Sequence, residues 1–284
     1  MSAYRYTLLD VFTDTPLAGN PLAVVHDADG LAEATMLSFA RETRLSETTF
    51  VQAATALGAD YRNRIWDPAK ELPFAGHPSL GTAIAVARAA DEAEVSYVQQ
   101  TPAGLQPIDV RIDGARATAS MLQEPAVFGE ELDPAEVLAM VGLAPGDAAP
   151  DLPVQVVSTG VPQVIAPVAG EEVLRRCAPD YTRIEPFLDG HEAITLYVAA
   201  VDTAKGDRAR TRAFCHTAQM GEDPATGSAA GPLQAYLHRR AGWTALEITQ
   251  GVEMGRPSLL RCEAGERVRV GGNAVAVVDG TVHL

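Results

Sequence analysis

The chain has 284 residues, 47% of them hydrophobic and 21% charged, which is the balance of a globular protein with a core large enough for one or two domains. Its formal net charge is −15 and only Lys70 and Lys205 among its 22 basic residues are lysines, so no basic stripe exists to track a nucleic-acid backbone. The first residues lack a basic n-region followed by an apolar stretch, and no run approaches eighteen apolar residues. Export and a membrane span are therefore not expected. Three widely separated cysteines, Cys177, Cys215 and Cys262, suit reduced thiols in a cytoplasm.

Short β-like runs bounded by Gly, Pro, Asp or Thr dominate. In chain order they are YRYTLLDVF, PLAVV, TTFVQA, DYRNRIW, VSYVQQ and RATASML, then PVQVVS, PQVIAPV, AITLYVAAV and RVRVGG. Helical periodicity marks Ala28 to Arg44, and again DPAEVLAMVG with Asp133 as N-cap and Pro134 at the first helical position. A third helix, from about Ser79 to Ala90, is apolar nearly all round. A helix of that kind is buried on every side, and one this short predicts strands wrapped about it.

Two segments recur in the same order. GNPLAVV (Gly19 to Val25) is echoed by GVPQVIA (Gly160 to Ala166), and PFAGHPSLGTAIAVA by DPATGSAAGPLQAYL, with Gly81 overlaid on Gly231. The expected organisation is two pseudo-equivalent halves, 1–122 and 123–284, with the last strand a candidate to return to the first half. Ala144 to Pro153, rich in Pro and Ala, reads as a linker.

Three stretches carry possible chemistry. In RLSETTFV, Glu47 is either a capping or surface glutamate at a strand start or, if it faces a closed cleft, a desolvated proton shuttle. In FAGHPSLG, His77 precedes Pro78 and is expected near a helix N-cap, with amides from Ser79 onward available to an anion; the alternative is a packed histidine with no chemistry. In GEDPATGSAAG there is no GxxxxGK[ST], GxGxxG or GxSxG pattern, which removes phosphate cradling and a nucleophile elbow. What remains is a helix start with Thr226, Gly227 and Ser228 as small donors and Asp223 set ahead by Pro224. Such a start either grips a small carboxylate-bearing metabolite or forms an ordinary capping box. The histidines show no metal-ligand spacing, and neither lysine is a good candidate for a Schiff base. A metal-free, cofactor-free acid–base enzyme is the expectation.

Taken together, GNPLAVV, LSETTFV, ELPFAGHPSLGTA, STGVPQVIA, GEDPATGSAAG and GVEMGRPSLL resemble the phenazine-biosynthesis PhzF-like family of isomerases, in the family's order from Gly19 to Leu260. The resemblance implies an α/β (α+β) diaminopimelate epimerase-like fold: two pseudo-symmetric halves, each a curled mixed sheet around a central helix, with the active site between them. It implies Glu47 as general acid/base, and His77, Asp223 and Ser228 as the groups that bind and polarise substrate. Gly76 and Gly227 would let backbone amides approach, with Thr226 and Ser79 beside them. It further implies a homodimer, no cofactor, and a proton shift on a cyclic or amino-acid-like metabolite such as trans-2,3-dihydro-3-hydroxyanthranilate. A silent metabolite-binding or scaffold protein, or an epimerase or lyase on the same fold, are the alternatives. Arg44 departs from the asparagine more usual ahead of Leu-Ser-Glu.

Overall fold

The structure is a computed structural model and describes residues 2–114, 116–201, 206–215 and 221–284. The chain divides into two compact units, one formed by residues 1–121 with 271–284 and the other by residues 122–270.

Unit 1 contains β1 (Ala3–Val11), β2 (Asn20–Val25), α1 (Glu33–Thr43), β3 (Thr48–Ala53), β4 (Tyr61–Trp66), β5 (Glu71–Leu72), α2 (Gly76–Ala90), β6 (Glu94–Thr101), β7 (Gly104–Asp113) and β8 (Arg116–Leu122). Its sheet is mixed. β2 and β3 pair parallel across α1, and β4 and β6 pair parallel across α2, while β1–β2, β3–β4, β6–β7 and β7–β8 are antiparallel. Helix α2 packs against β1, β2, β3, β4, β6 and β7, so the sheet curls round it as its apolar circumference predicts. Leu80 and Ile84 are fully buried, and burials of this kind contribute about 2–3 kcal/mol each. Contact is so close at Gly81 that a methyl group there would lie 2.6 Å from Leu22 Cδ2 and 2.8 Å from Val11 Cγ2.

Unit 2 repeats this plan with β9 (Val127–Leu132), α3 (Pro134–Ala139), β10 (Val154–Ser158), β11 (Pro162–Val168), α4 (Glu171–Arg175), α5 (Tyr181–Gly190), β12 (Thr195–Val201), β13 (Arg208–Cys215), β14 (Glu222–Asp223), α6 (Gly227–Ala241), β15 (Ala245–Gln250) and β16 (Ser258–Glu263). β11–β12 and β13–β15 are its parallel pairs, matching β2–β3 and β4–β6. Helix α6 packs on β10, β11, β15 and β16. A second core lies outside that sheet, where Val137, Leu138, Leu174, Ile184 and Leu188 of α3, α4 and α5 meet Val164, Leu196 and Val198. The final strand, β17 (Arg269–His283), pairs antiparallel with β1 from Ala3↔His283 to Val11↔Ala274 and so belongs mostly to unit 1.

The internal repeat extends to a shared device. Arg64 on β4 and Arg212 on β13 each grip, with Nε and Nη2, the two oxygens of a glutamate on the next short strand, Glu71 and Glu222 respectively. Each guanidinium also lies over the aromatic ring two residues on, 5.7 Å from the Trp66 centroid and 5.0 Å from the Phe214 centroid. These clamps fix the short strands that lead into α2 and α6.

Two boundaries differ from the sequence reading. The first central helix starts earlier in its motif than periodicity suggests, α2 at Gly76 rather than about Ser79, because its first turn is built from small and polar residues that carry no apolar period. Residues 144–153 are no linker between halves: they lie inside unit 2, where Ala148 bridges to Val168 and Leu152 is buried.

Candidate active site

Glu47 stands between the left-handed Arg44 (φ 53°), which ends α1, and the first residue of β3. It is only 7% exposed, so the surface-glutamate alternative does not hold. The following threonines are tied down: Thr48 Oγ1 shares a 2.8 Å hydrogen bond with Thr43 Oγ1, and Thr49 Oγ1 one of 2.8 Å with Thr82 Oγ1 of α2. The backbone at Glu47 is therefore anchored to both neighbouring helices.

His77 is the second residue of α2, one turn position inside the helix rather than at its cap; Ala75 is the N-cap. Its Nδ1 faces the Asn20 amide nitrogen at 3.2 Å. The amide donates, so the ring proton resides on Nε2, which lies 3.4 Å from Glu47 Oε2. Burial lowers the His77 pKa from 6.5 to about 3, so the ring is neutral and its 3.4 Å approach to Glu47 is a close contact of two buried polar groups, not an ion pair. Asn20, fully buried and following Gly19 (φ +66°), was visible in GNPLAVV only as part of a repeat. A methyl on Gly19 would lie 2.4 Å from Val11 O, which is why the turn that delivers Asn20 takes glycine.

Ser79 is fully buried, its hydroxyl donating to Ala75 O at 2.7 Å and accepting from Gln99 Nε2 at 2.7 Å. Its amide closes the first helical hydrogen bond, also onto Ala75 O. Helix geometry thus leaves Gly76 and His77, not Ser79 onward, as the amides without an intrahelical acceptor; Pro78 has none to offer.

In unit 2, Thr226 is the N-cap of α6, Gly227 its first residue and Ser228 its second, so Ser228 sits where unit 1 has His77. The capping-box alternative is not realised, since Thr226 makes no side-chain cap bond and its hydroxyl donates to Asp223 Oδ2 at 2.5 Å. Asp223 and Ser228 are half-buried, and Gly227 and Thr226 buried. The strand registers also show where the two units diverge. Asp223, opposite Ala213, takes the place that Leu72, opposite Ile65, has in unit 1. Thr195, preceding the residue opposite Phe214, takes the place of Glu47.

Burial pushes the Cys177 thiol up to about 11 and raises Cys262 further, so neither is a ready nucleophile. Among the described residues, no group of three or more His, Cys, Asp or Glu is placed to hold a metal ion. Lys70 is exposed, and Lys205 and His216 lie outside the described residues. No helix is long and apolar enough to cross a membrane among those described.

The fold is the diaminopimelate epimerase-like mixed α/β fold. A hydroxyproline epimerase from Agrobacterium vitis superposes with a TM-score of 0.64 over 99% of this chain and 92% of its own, at 12% identity. The chain belongs to the phenazine biosynthesis-like protein family (PhzC-PhzF), whose family model matches residues 9–280. A trans-2,3-dihydro-3-hydroxyanthranilate isomerase from Pseudomonas aeruginosa is 38% identical over 291 residues, spanning 99% of this chain and 100% of that protein. A PhzF-family protein from Bacillus anthracis superposes with a TM-score of 0.88 at 27% identity, with 100% of both chains covered. On this footing the chain is a PhzF-like isomerase.

Proposed function

We propose that the protein is a cofactor-independent isomerase that moves a proton between two carbons of a small cyclic or amino-acid-like metabolite, with Glu47 as the shuttle. The observation that carries this reading is a buried carboxyl group whose Oε2 lies 3.4 Å from Nε2 of a buried, neutral imidazole. A carboxylate held away from water is a stronger base toward a carbon acid than a solvated one, and the same carboxyl returns the proton when the double bond has moved. The neighbouring imidazole stays neutral and serves as a hydrogen-bond donor. The threonine at the Glu47 position of unit 2 supports a single shuttle, in contrast to an epimerase, which needs an acid and a base on opposite faces.

Substrate binding is assigned to His77, Asp223, Ser228 and Thr226 and to the amides at Gly76 and Gly227, which suit a carboxylate or amine. Ser79 acts through the helix start. The relative named for trans-2,3-dihydro-3-hydroxyanthranilate makes that compound the first substrate to offer. Incubated with the protein in D₂O and followed by NMR, it should show enzyme-dependent double-bond migration with partial retention of the original proton. Binding without any bond or isotope change would sink the isomerase mechanism in favour of a metabolite-binding protein.

A further inference from the structure

The polar network behind Asp223 has no counterpart in the sequence motifs. Gln250, the last residue of β15, is fully buried. Its Oε1 accepts from Tyr197 OH at 2.9 Å, and Tyr197 OH in turn accepts from Thr211 Oγ1 at 3.0 Å. Its Nε2 donates to Asp223 O at 2.7 Å and to Thr226 Oγ1 at 2.9 Å. Because Thr226 Oγ1 accepts there, its own proton is directed to Asp223 Oδ2 at 2.5 Å. The backbone amide of Thr226 points back to Gln250 Oε1 at 3.3 Å. The side-chain donors Thr211 Oγ1, Tyr197 OH, Gln250 Nε2 and Thr226 Oγ1 thus lead in turn to an Asp223 carboxylate oxygen, while the Thr226 amide runs the other way.

Unit 1 contains the frame without the carboxylate. Gln99 follows α2 at the same distance in the chain as Gln250 follows α6, is also fully buried, and accepts from Asn63 Nδ2 at 3.1 Å while donating to Ser79 Oγ. That frame ends on the carbonyl of Ala75, and the residue in the place of Asp223 is Leu72. A glutamine that merely staples a helix start is common to both units; one that feeds a carboxylate is found in unit 2.

We infer that Gln250 and Thr226 are positioning residues that hold the Asp223 carboxylate in a fixed orientation and in its ionised form, ready to accept a hydrogen bond from the hydroxyl or amine of a substrate. Hydrogen bonds donated to a carboxylate favour its charged state, and a chain of donors aligned in one direction strengthens its last link. Glu222 is paired with Arg212, and burial raises the pKa values of Tyr197 and Cys262 so that both are neutral. The inference rests on Asp223 being a substrate-binding group.

The titration itself needs no substrate. Carboxyl-¹³C aspartate labelling of the full chain, with Asp223→Asn to assign the resonance, reads the Asp223 titration directly. In Thr226→Val and Gln250→Met the carboxyl should titrate about one pH unit higher than in the parent protein, and Thr226→Ser should restore the parent value. If Gln250→Met fails to fold, the valine and serine variants decide alone. An unchanged Asp223 titration in folded Thr226→Val overturns the inference. A moved titration together with an unchanged KM in Asp223→Asn would leave the relay standing and remove the binding role of Asp223 instead.

Discussion

His77 is held by Asn20 on one ring nitrogen and faces Glu47 with the other, at 3.2 Å and 3.4 Å. In the proposed mechanism the histidine is the held, neutral neighbour and the glutamate carries the proton. The pair is set by two different elements, the loop before β3 and the first turn of α2, and the Thr49–Thr82 bond joins those elements directly.

Glu47→Gln keeps size and burial while removing the proton carrier. Turnover on an accepted substrate should fall by about 10³-fold or more with little change in KM, because only the transition-state function is lost. A folded variant with parent-like kcat would end the shuttle assignment.

The depressed pKa of His77 has a sign that can be measured. The unfolded chain takes up a proton near pH 6.5 and the folded chain only near pH 3, so protonation favours the unfolded state over that interval. This contribution to stability is complete above about pH 6.5 and is lost as pH falls toward 3. Urea midpoints across that range should drop in the parent protein and drop less steeply in His77→Gln. A His77 ¹⁵N titration near 6.5 would contradict the assignment.

Arg212→Ala leaves the Glu222 carboxylate largely buried without its partner and removes the donor to Cys177 O at 2.9 Å. The expected cost is about 2–4 kcal/mol by chemical denaturation. Arg212→Lys should recover only part, since an ammonium keeps the charge but not the two-pronged grip.

Gly81→Ala and Gly231→Ala each raise intrinsic helix propensity by about 1 kcal/mol, yet both should destabilise. The new methyl at Gly231 would fall 1.7 Å from Gln123 Oε1, and at Gly81 it would meet Leu22 and Val11. A loss of about 1–3 kcal/mol in each is expected from overpacking. A neutral result at Gly231 would mean that Gln123, which also donates to Gly227 O at 2.9 Å, can move without disturbing the start of α6.

The parts of the fold legible in the sequence are those with an apolar period. α2 announced itself by lacking a polar face, and its strands by alternating apolar runs. β7 (Gly104–Asp113) is hard to read in the sequence because Gly104 and Pro107 interrupt it and only Ile108 and Val110 are buried along it. β9 (Val127–Leu132) was hidden by Gly129 and two exposed glutamates. In the site, Glu47, His77 and Asp223 are legible because ionisable groups beside small-residue turns stand out. Asn20 and Gln250 are not: a neutral amide in a strand looks the same whether it faces water or a buried partner. The overlay of Gly81 on Gly231 is one residue out of step with the helix starts, Gly76 and Gly227, since the eye aligns glycines while the fold aligns first turns.

The pairing of β17 with β1 has a bearing on biosynthesis. Residues 122–270 form one continuous stretch and leave the ribosome as a set, able to collapse on their own core. The first 121 residues emerge earlier yet wait for β17, their β1 partner, until all of residues 122–270 have been made. The half that carries Glu47 is begun first and completed last, so premature termination anywhere before residue 271 removes its closing strand.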